Sequence, residues 1–99
     1  MNKLTNIKSK IQTPESLPKL LKKWALEEKK IVFTNGCFDI IHRGHIEYLS
    51  QAAGLGDVLF IGVNTDASVS KLKGDSRPLQ DEYSRILTLA SFEFVDGLI

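Results

Sequence analysis

At 99 residues the chain is long enough for one small domain and too short for two. A charged fraction of 25% and a formal net charge of +1 are ordinary for a globular protein and exclude a molecule built as a whole to bind polyanions such as nucleic acid. The single cysteine, Cys37, excludes an internal disulfide and points to a reducing, cytoplasmic setting; the polar N-terminus lacks a signal peptide's apolar segment, and no run approaches the ~20 apolar residues of a membrane-crossing helix.

Residues 1–12 read as a polar, mobile lead. In TPESLPKLLKKWALEEKK, Leu17, Leu20, Leu21 and Trp24 recur at helical spacing while Lys19, Lys22 and Lys23 face elsewhere. This predicts a helix with its start signal at Thr13 and Pro14 and a solvated lysine face; Pro18 fits only in a first turn. These elements form an N-terminal segment, 1–29, ahead of a domain over 30–99. KIVFTN is apolar and β-branched and predicts a buried strand ending near Asn35. In HIEYLSQAAGLGD, Ile46, Leu49, Ala52 and Ala53 mark a helix that begins near Arg43 and stops at Gly54 and Gly56. VLFIGVN, 58–64, is a second apolar run of the kind that a strand buried on both faces requires. TDASVSKLKGDSRPLQ reads as a polar loop, 81–93 as a helix burying Ile86, Leu87, Leu89 and Ala90, and VDGLI as a third strand.

The order α, then β-α-β-α-β, implies an α/β fold with a Rossmann-like parallel sheet and right-handed crossovers, truncated after the third strand. Ligands of such sheets sit beyond the carboxyl ends of the strands, where the loops after Asn35 and Asn64 fall. Dinucleotide binding is disfavoured, because the first strand leads into NGCFDIIHRGH, whose glycines, Gly36 and Gly44, are spaced wrongly for G-x-G-x-x-G; the phosphate-loop pattern G-x-x-x-x-G-K-[ST] is absent too.

HRGH offers a different chemistry. A helix beginning near Arg43 has unpaired N–H groups and a positive dipole end that favour an anion. His42 and His45 are three apart, so on one helix face their Cβ atoms are ~5–6 Å from each other, a separation suited to two donors gripping neighbouring phosphates. Gly44 leaves room for those phosphates, and Gly36 and Cys37 present backbone N–H groups as an opposite wall. Other readings remain open from spacing alone. Cys37, His42 and His45 are a set of zinc-ligand types, although zinc helices usually space histidines by four and a structural site needs a fourth ligand. A Cys37 thiolate with a histidine base lacks a marked orienting residue. Two satisfied structural histidines are the plain alternative.

GCFDIIHRGH closely resembles the signature of the HxGH nucleotidyltransferases, and TNGCFDIIHRGHIEYL together with GDVLFIGVNTDASVSKLKGDSRPLQ is similar to the bacterial heptose-phosphate adenylyltransferases, over residues 30–99. The resemblance implies transfer of AMP from ATP to a heptose 1-phosphate with release of pyrophosphate, accompanied by Mg²⁺, in a homodimer. It implies that Asn35, Gly36, Cys37, Phe38, Asp39 and Gly44 line the nucleotide phosphates, and that His42 and His45 carry the transition-state role. Lys73, helped by Lys71, then contacts triphosphate or sugar phosphate, Arg77 and Arg85 lie near phosphate, and Asn64 and Asp66 border the acceptor. It also implies a Ser/Thr-rich phosphate motif and base-cradling residues, neither of which falls within these 99 residues. From the residues alone, SKLKGDSRP is equally a solvated charged loop, Asp39 a local turn cap, and Arg85 a solvent-facing helix residue. The relevant alternatives are a cytidylyltransferase acting on a polyol or aminoalcohol phosphate, and a non-catalytic phosphate-binding or dimerisation module.

Overall fold

The computed structural model describes residues 2–99. Its elements in chain order are α1 (Lys3–Lys8), α2 (Leu17–Leu26), β1 (Ile31–Gly36), α3 (Arg43–Ala53), β2 (Val58–Val63), α4 (Asp66–Lys73), α5 (Glu82–Ala90) and β3 (Gly97–Leu98). The three strands are parallel and lie in the order β1-β2-β3, with Ile31 opposite Val58, Gly36 opposite Val63, and Phe60 opposite Gly97. This is the expected Rossmann-like arrangement, and it brings the carboxyl ends of β1 and β2 side by side.

The central strand β2 alternates its side chains between two cores. Leu59 and Ile61 point to one face and pack with Leu49 and Ala52 of α3 and Leu89 and Ala90 of α5. Val58 and Phe60 point to the other face, where Trp24 of α2 meets Phe60 edge-on at 6.2 Å. Leu49, Leu59, Ile61, Leu89 and Leu98 are fully buried; such side chains each contribute about 1.5–3 kcal/mol to the fold, before the entropy of ordering them is set against that gain.

Four expectations change. Residues 3–8 form a helix, capped by the Asn2 side chain, that packs on α5, and Ile11 bridges to Leu98; the polar lead is therefore tied to the sheet rather than free. The second helix starts at Leu17 with Pro18 in its first turn, and Thr13 forms a reciprocal hydrogen-bonded turn with Ser16 just ahead of it. The polar loop after β2 contains α4, capped at Thr65 and stopped at Gly74, whose φ of 102° glycine adopts without strain. Lastly, β1 is not buried on both faces: it is the sheet's edge strand, and the Phe33 side chain is 63% exposed.

Candidate active site

The two histidines meet at the start of α3, by a route the helical spacing did not anticipate. His42 is the N-cap, with extended backbone, and is not part of the helix; His45 occupies the third helical position. They form a reciprocal capping pair: the Gly44 amide donates to His42 Nδ1 at 3.0 Å, and the His42 amide donates to His45 Nδ1 at 3.3 Å. The ring centroids are 4.2 Å apart. This arrangement fixes the chemistry of both rings. An Nδ1 that accepts from a backbone amide carries no proton, so each neutral imidazole holds its proton on Nε2, on the far side from the backbone. Burial lowers the pKa of His45 below its ordinary value, and the positive charges of His42 and Lys73 lower it further. The site thus presents the Nε2 edges of two rings, with the Lys73 ammonium near enough to act on His45.

Gly44 has a more local reason than room for phosphate. A Cβ there would stand 2.8 Å from His42 Cε1 and 3.1 Å from its Nδ1, so the capping ring itself excludes a side chain. Gly36 is similarly restricted, since a Cβ would lie 3.1 Å from the Phe38 ring. Phe38 turns the chain with a φ of 49°, costly for a residue with a side chain, and its buried ring lies edge-on to His45 at 5.8 Å. Its ring is thus a packing wall for the histidine.

The side chains of Asp39 and Arg85 brace the site from within the protein. Asp39 is only 2% exposed; it accepts from Arg77 Nε at 2.6 Å, from the Leu79 amide at 2.8 Å and from the Gln80 amide at 3.0 Å. Burial alone would raise its pKa, but the amides of Gln80 and Leu79 and the Arg77 guanidinium outweigh it and hold the carboxyl at about 2. Asp39 therefore clamps the segment after α4 to the loop after β1, as a tertiary contact rather than a local cap. Arg85 is fully buried, so it does not lie on a solvent face either. Its donors go to Gln80 O, Cys37 O, Asn64 O and Asp66 Oδ1, at 3.1, 2.6, 2.8 and 2.8 Å. One guanidinium thus fastens the loops that follow β1 and β2 to each other, places the carbonyls of Cys37 and Asn64 inward, and commits four of its five N–H donors to the protein itself.

The other expected residues divide between the two sides of the sheet's carboxyl edge. Lys71 and Lys73 lie exposed in the last turn of α4, with half-buried Arg77 just beyond, oriented by Asp39. Asn64 donates from its side chain to Cys37 Sγ at 3.5 Å, and Asp66 is engaged by Arg85 through one oxygen. Asn35 and Asn64 line a groove of about 450 Å³ with Gln12, Phe33, Thr65 and Glu82, on the Phe33 side of the sheet. Thr65 and Glu82 carried no functional expectation. Thr65 caps α4 through Ser68, and Glu82 accepts from the Asp66 amide at 3.0 Å, so together they set where the lysines of α4 stand. A threonine three residues before a serine and nine before Gly74 was the available signal for that helix.

A capped histidine pair at the carboxyl edge of a three-stranded parallel sheet belongs to a nucleotidyltransferase-type fold. Residues 33–99 match the family model described as cytidylyltransferase-like, and the chain belongs to that family. Among its relatives is the bifunctional protein HldE of Campylobacter jejuni subsp. doylei, 55% identical over 94 residues, which are 95% of this chain and 20% of that protein. The HldE of Helicobacter pylori is 51% identical over 84 residues, 85% of this chain and 18% of its own length. A solved structure, the lipopolysaccharide core biosynthesis protein from Thermoplasma volcanium GSS1, superposes with a TM-score of 0.65 at 37% identity, covering 72% of this chain and 57% of that one. The chain therefore spans about a fifth of the length of the curated relatives it matches. Among the described residues no helix is long and apolar enough to cross a membrane.

Proposed function

We propose that the protein to which this chain belongs transfers AMP from ATP to a heptose 1-phosphate, releasing pyrophosphate, in the supply of ADP-heptose for lipopolysaccharide core. The observation that carries this reading is the His42–His45 pair, both rings locked with Nδ1 toward the backbone and Nε2–H free. The HldE and core-biosynthesis relatives support the choice of sugar phosphate as acceptor.

The chemistry follows from charge. A phosphate acceptor has a second pKa of ~6 and is largely dianionic at neutral pH, so it needs no general base. One of its oxygens forms a bond to the α-phosphorus of ATP while the bond to the bridging oxygen of pyrophosphate breaks. Negative charge grows on the equatorial oxygens and on the leaving group. His42 and His45 donate from Nε2 to those oxygens, Lys73 supplies a full positive charge, and Lys71 and Arg77 hold the flanking phosphates. Asp39 and Arg85 keep the two loops from separating under the mutual repulsion of donor and acceptor. Neutral imidazoles suit this role, since protonation at Nδ1 would break the caps that aim them.

Magnesium belongs to this reading as a companion of the triphosphate. The carboxylates nearest the site, Asp39 and Asp66, are engaged by Arg77 and Arg85. Among the described residues no cluster of His, Cys, Asp and Glu forms a cage. When bound, Mg²⁺ would be held chiefly by the phosphate oxygens of the nucleotide and by water, and would offset the charge of the triphosphate. A cytoplasmic homodimer, with Cys37 kept as a thiol, completes the proposal.

The test is pyrophosphate release with a panel of nucleoside triphosphates and sugar or polyol phosphates. It is run on this chain and on a chimaera in which the remainder of the Campylobacter relative follows Ile99. ATP with heptose 1-phosphate is the expected pair. CTP with a polyol phosphate would move the assignment to cytidylyl transfer, and nucleotide binding without turnover in the chimaera would favour a non-catalytic module. In the active form, His45→Asn is expected to leave ATP affinity nearly unchanged and to lower turnover by ~10² or more.

A further inference from the structure

The groove at the carboxyl ends of the strands differs in chemistry from the histidine side. Its volume of about 450 Å³ falls within the ~300–1,000 Å³ of small-molecule sites. Phe33, Val63 and Ile86 give it apolar lining, and Gln12, Thr65 and Glu82 give it polar lining. No lysine or arginine lines it, and Glu82 is its one charged side chain. A carboxylate repels phosphate and accepts from hydroxyl groups, so the groove fits the polyhydroxyl body of an acceptor and not its phosphate.

Gln12 lies ahead of residues 33–99, the part of the chain that carries the family match. It reaches the groove because residues 10–12 run beside β3 as a strap. The Gln12 amide donates to Leu98 O at 2.8 Å, and the Leu98 amide donates to Lys10 O at 3.1 Å. Lys10 Nζ adds a bond to Phe92 O at 2.9 Å, and Ile7 and Ile11 pack against the main core. The Gln12 side chain is itself held: Nε2 donates to Lys10 O at 3.2 Å, and Oε1 accepts from Ser16 Oγ at 2.8 Å. An amide oxygen has two lone pairs, so one is left to accept from a ligand. Glu82 is placed in a similar way. Its Oε1 accepts from the Asp66 amide at 3.0 Å, which leaves the second carboxylate oxygen for a ligand. Thr65 Oγ1 accepts from the Ser68 amide at 3.1 Å and keeps its proton to donate. Asn64, which also lines the groove, touches Cys37 Sγ at 3.5 Å and so joins the groove to the loop that leads to the histidines.

We propose that Gln12 and Glu82 select the acceptor, by accepting hydroxyl protons from a sugar body seated in this groove while its phosphate lies at the histidine pair. This rests on the reading of a sugar phosphate as acceptor, and it assigns part of the selectivity to the N-terminal strap. An acceptor too short to meet both oxygens leaves them unpaired and binds more weakly.

Nuclear magnetic resonance titration of the 99-residue chain tests this, with heptose 1-phosphate, glycerol 3-phosphate and inorganic phosphate as probes. Heptose 1-phosphate is expected to shift the Gln12 side-chain amide and the backbone amides of Thr65 and Glu82 together with those of His42 and His45. Inorganic phosphate is expected to shift the histidine loop alone. Gln12→Met and Glu82→Gln, the latter keeping an oxygen for the Asp66 amide, should each weaken heptose 1-phosphate by about tenfold and leave inorganic phosphate unchanged. Groove signals that stay still at millimolar heptose 1-phosphate would overturn the proposal, and that measurement needs no variant. Equal affinity for glycerol 3-phosphate would overturn it too. So would variants that weaken sugar phosphate and inorganic phosphate alike, which would make Gln12 and Glu82 structural only. Every readout is binding: groove shifts without pyrophosphate release in the chimaera would count against the proposed reaction and not against the subsite, and a silent groove beside an active chimaera would do the reverse.

Discussion

Replacing Arg85 with Met removes the guanidinium and keeps much of the side-chain length. Four acceptors lose their donor: Gln80 O, Cys37 O, Asn64 O and Asp66 Oδ1. They do not suffer equally. The Asp66 side chain is 42% exposed and regains water, so the screened ion pair itself contributes little. The carbonyls face a side chain that is fully buried, and an acceptor left dry there costs about 1–3 kcal/mol. Three such carbonyls, partly relieved by relaxation of the loops and by the added apolar volume, give an expected loss of about 3–5 kcal/mol, a large part of the 5–15 kcal/mol typical of a domain. Arg85→Lys supplies one cationic head with no planar fork and should recover less than half. Urea unfolding of the three proteins, followed by far-ultraviolet circular dichroism, measures this directly. A loss below about 1 kcal/mol for Arg85→Met would refute the bracing role and return Arg85 to the list of ligand-facing cations.

Asp39 makes stability sensitive to acid. Its folded pKa of about 2 lies below its unfolded value, so its contribution is complete above about pH 4 and is lost as pH falls through about 2. Thermal unfolding between those limits should show that decline in the parent and a shallower one in Asp39→Asn; parallel curves would contradict the clamp. His45 acts at higher pH in the same sense: its lowered pKa means that stability, complete above about pH 6.5, falls as acid protonates the ring, and His45→Gln should flatten that step. Gly44→Ala separates stability from binding. The new methyl displaces the His42 ring and costs a cap worth about 1 kcal/mol, but helix propensity returns a similar amount, so the unfolding midpoint should hardly move. Calorimetric titration with ATP and Mg²⁺ should nevertheless show affinity reduced about tenfold, and unchanged affinity would contradict the need for a fixed His42 ring.

Hydrophobic pattern and turn residues were enough to read β1, α3, β2 and α5, because each buries a periodic apolar face that competes with nothing else. They could not reveal α4, whose one fully buried side chain is Val69 and whose Leu72 faces solvent; a helix held by its caps has no stripe. Nor could the run IVF distinguish an edge strand from a central one, since exposure on one side depends on what lies beside it. The histidine pair was legible as a pair, but its geometry was not: spacing of three fits two helical positions as well as an N-cap with its third residue, and only the backbone conformation of His42 decides. The bracing contacts of Asp39 and Arg85 could not be read from the sequence. A charged residue drawn inside by tertiary partners leaves no periodic trace, and Asp39 meets partners about forty residues away in the chain.

The central claim is that the capping pair fixes both imidazoles as Nε2–H donors aimed at a polyphosphate. Heteronuclear NMR of the ring nitrogens, recorded at neutral pH before and after addition of tripolyphosphate, reads it most directly. The account predicts unprotonated Nδ1 and protonated Nε2 in both His42 and His45, with the Nε2 signals alone moving strongly on binding. Protons on Nδ1, or Nε2 signals indifferent to saturating polyphosphate, would contradict it.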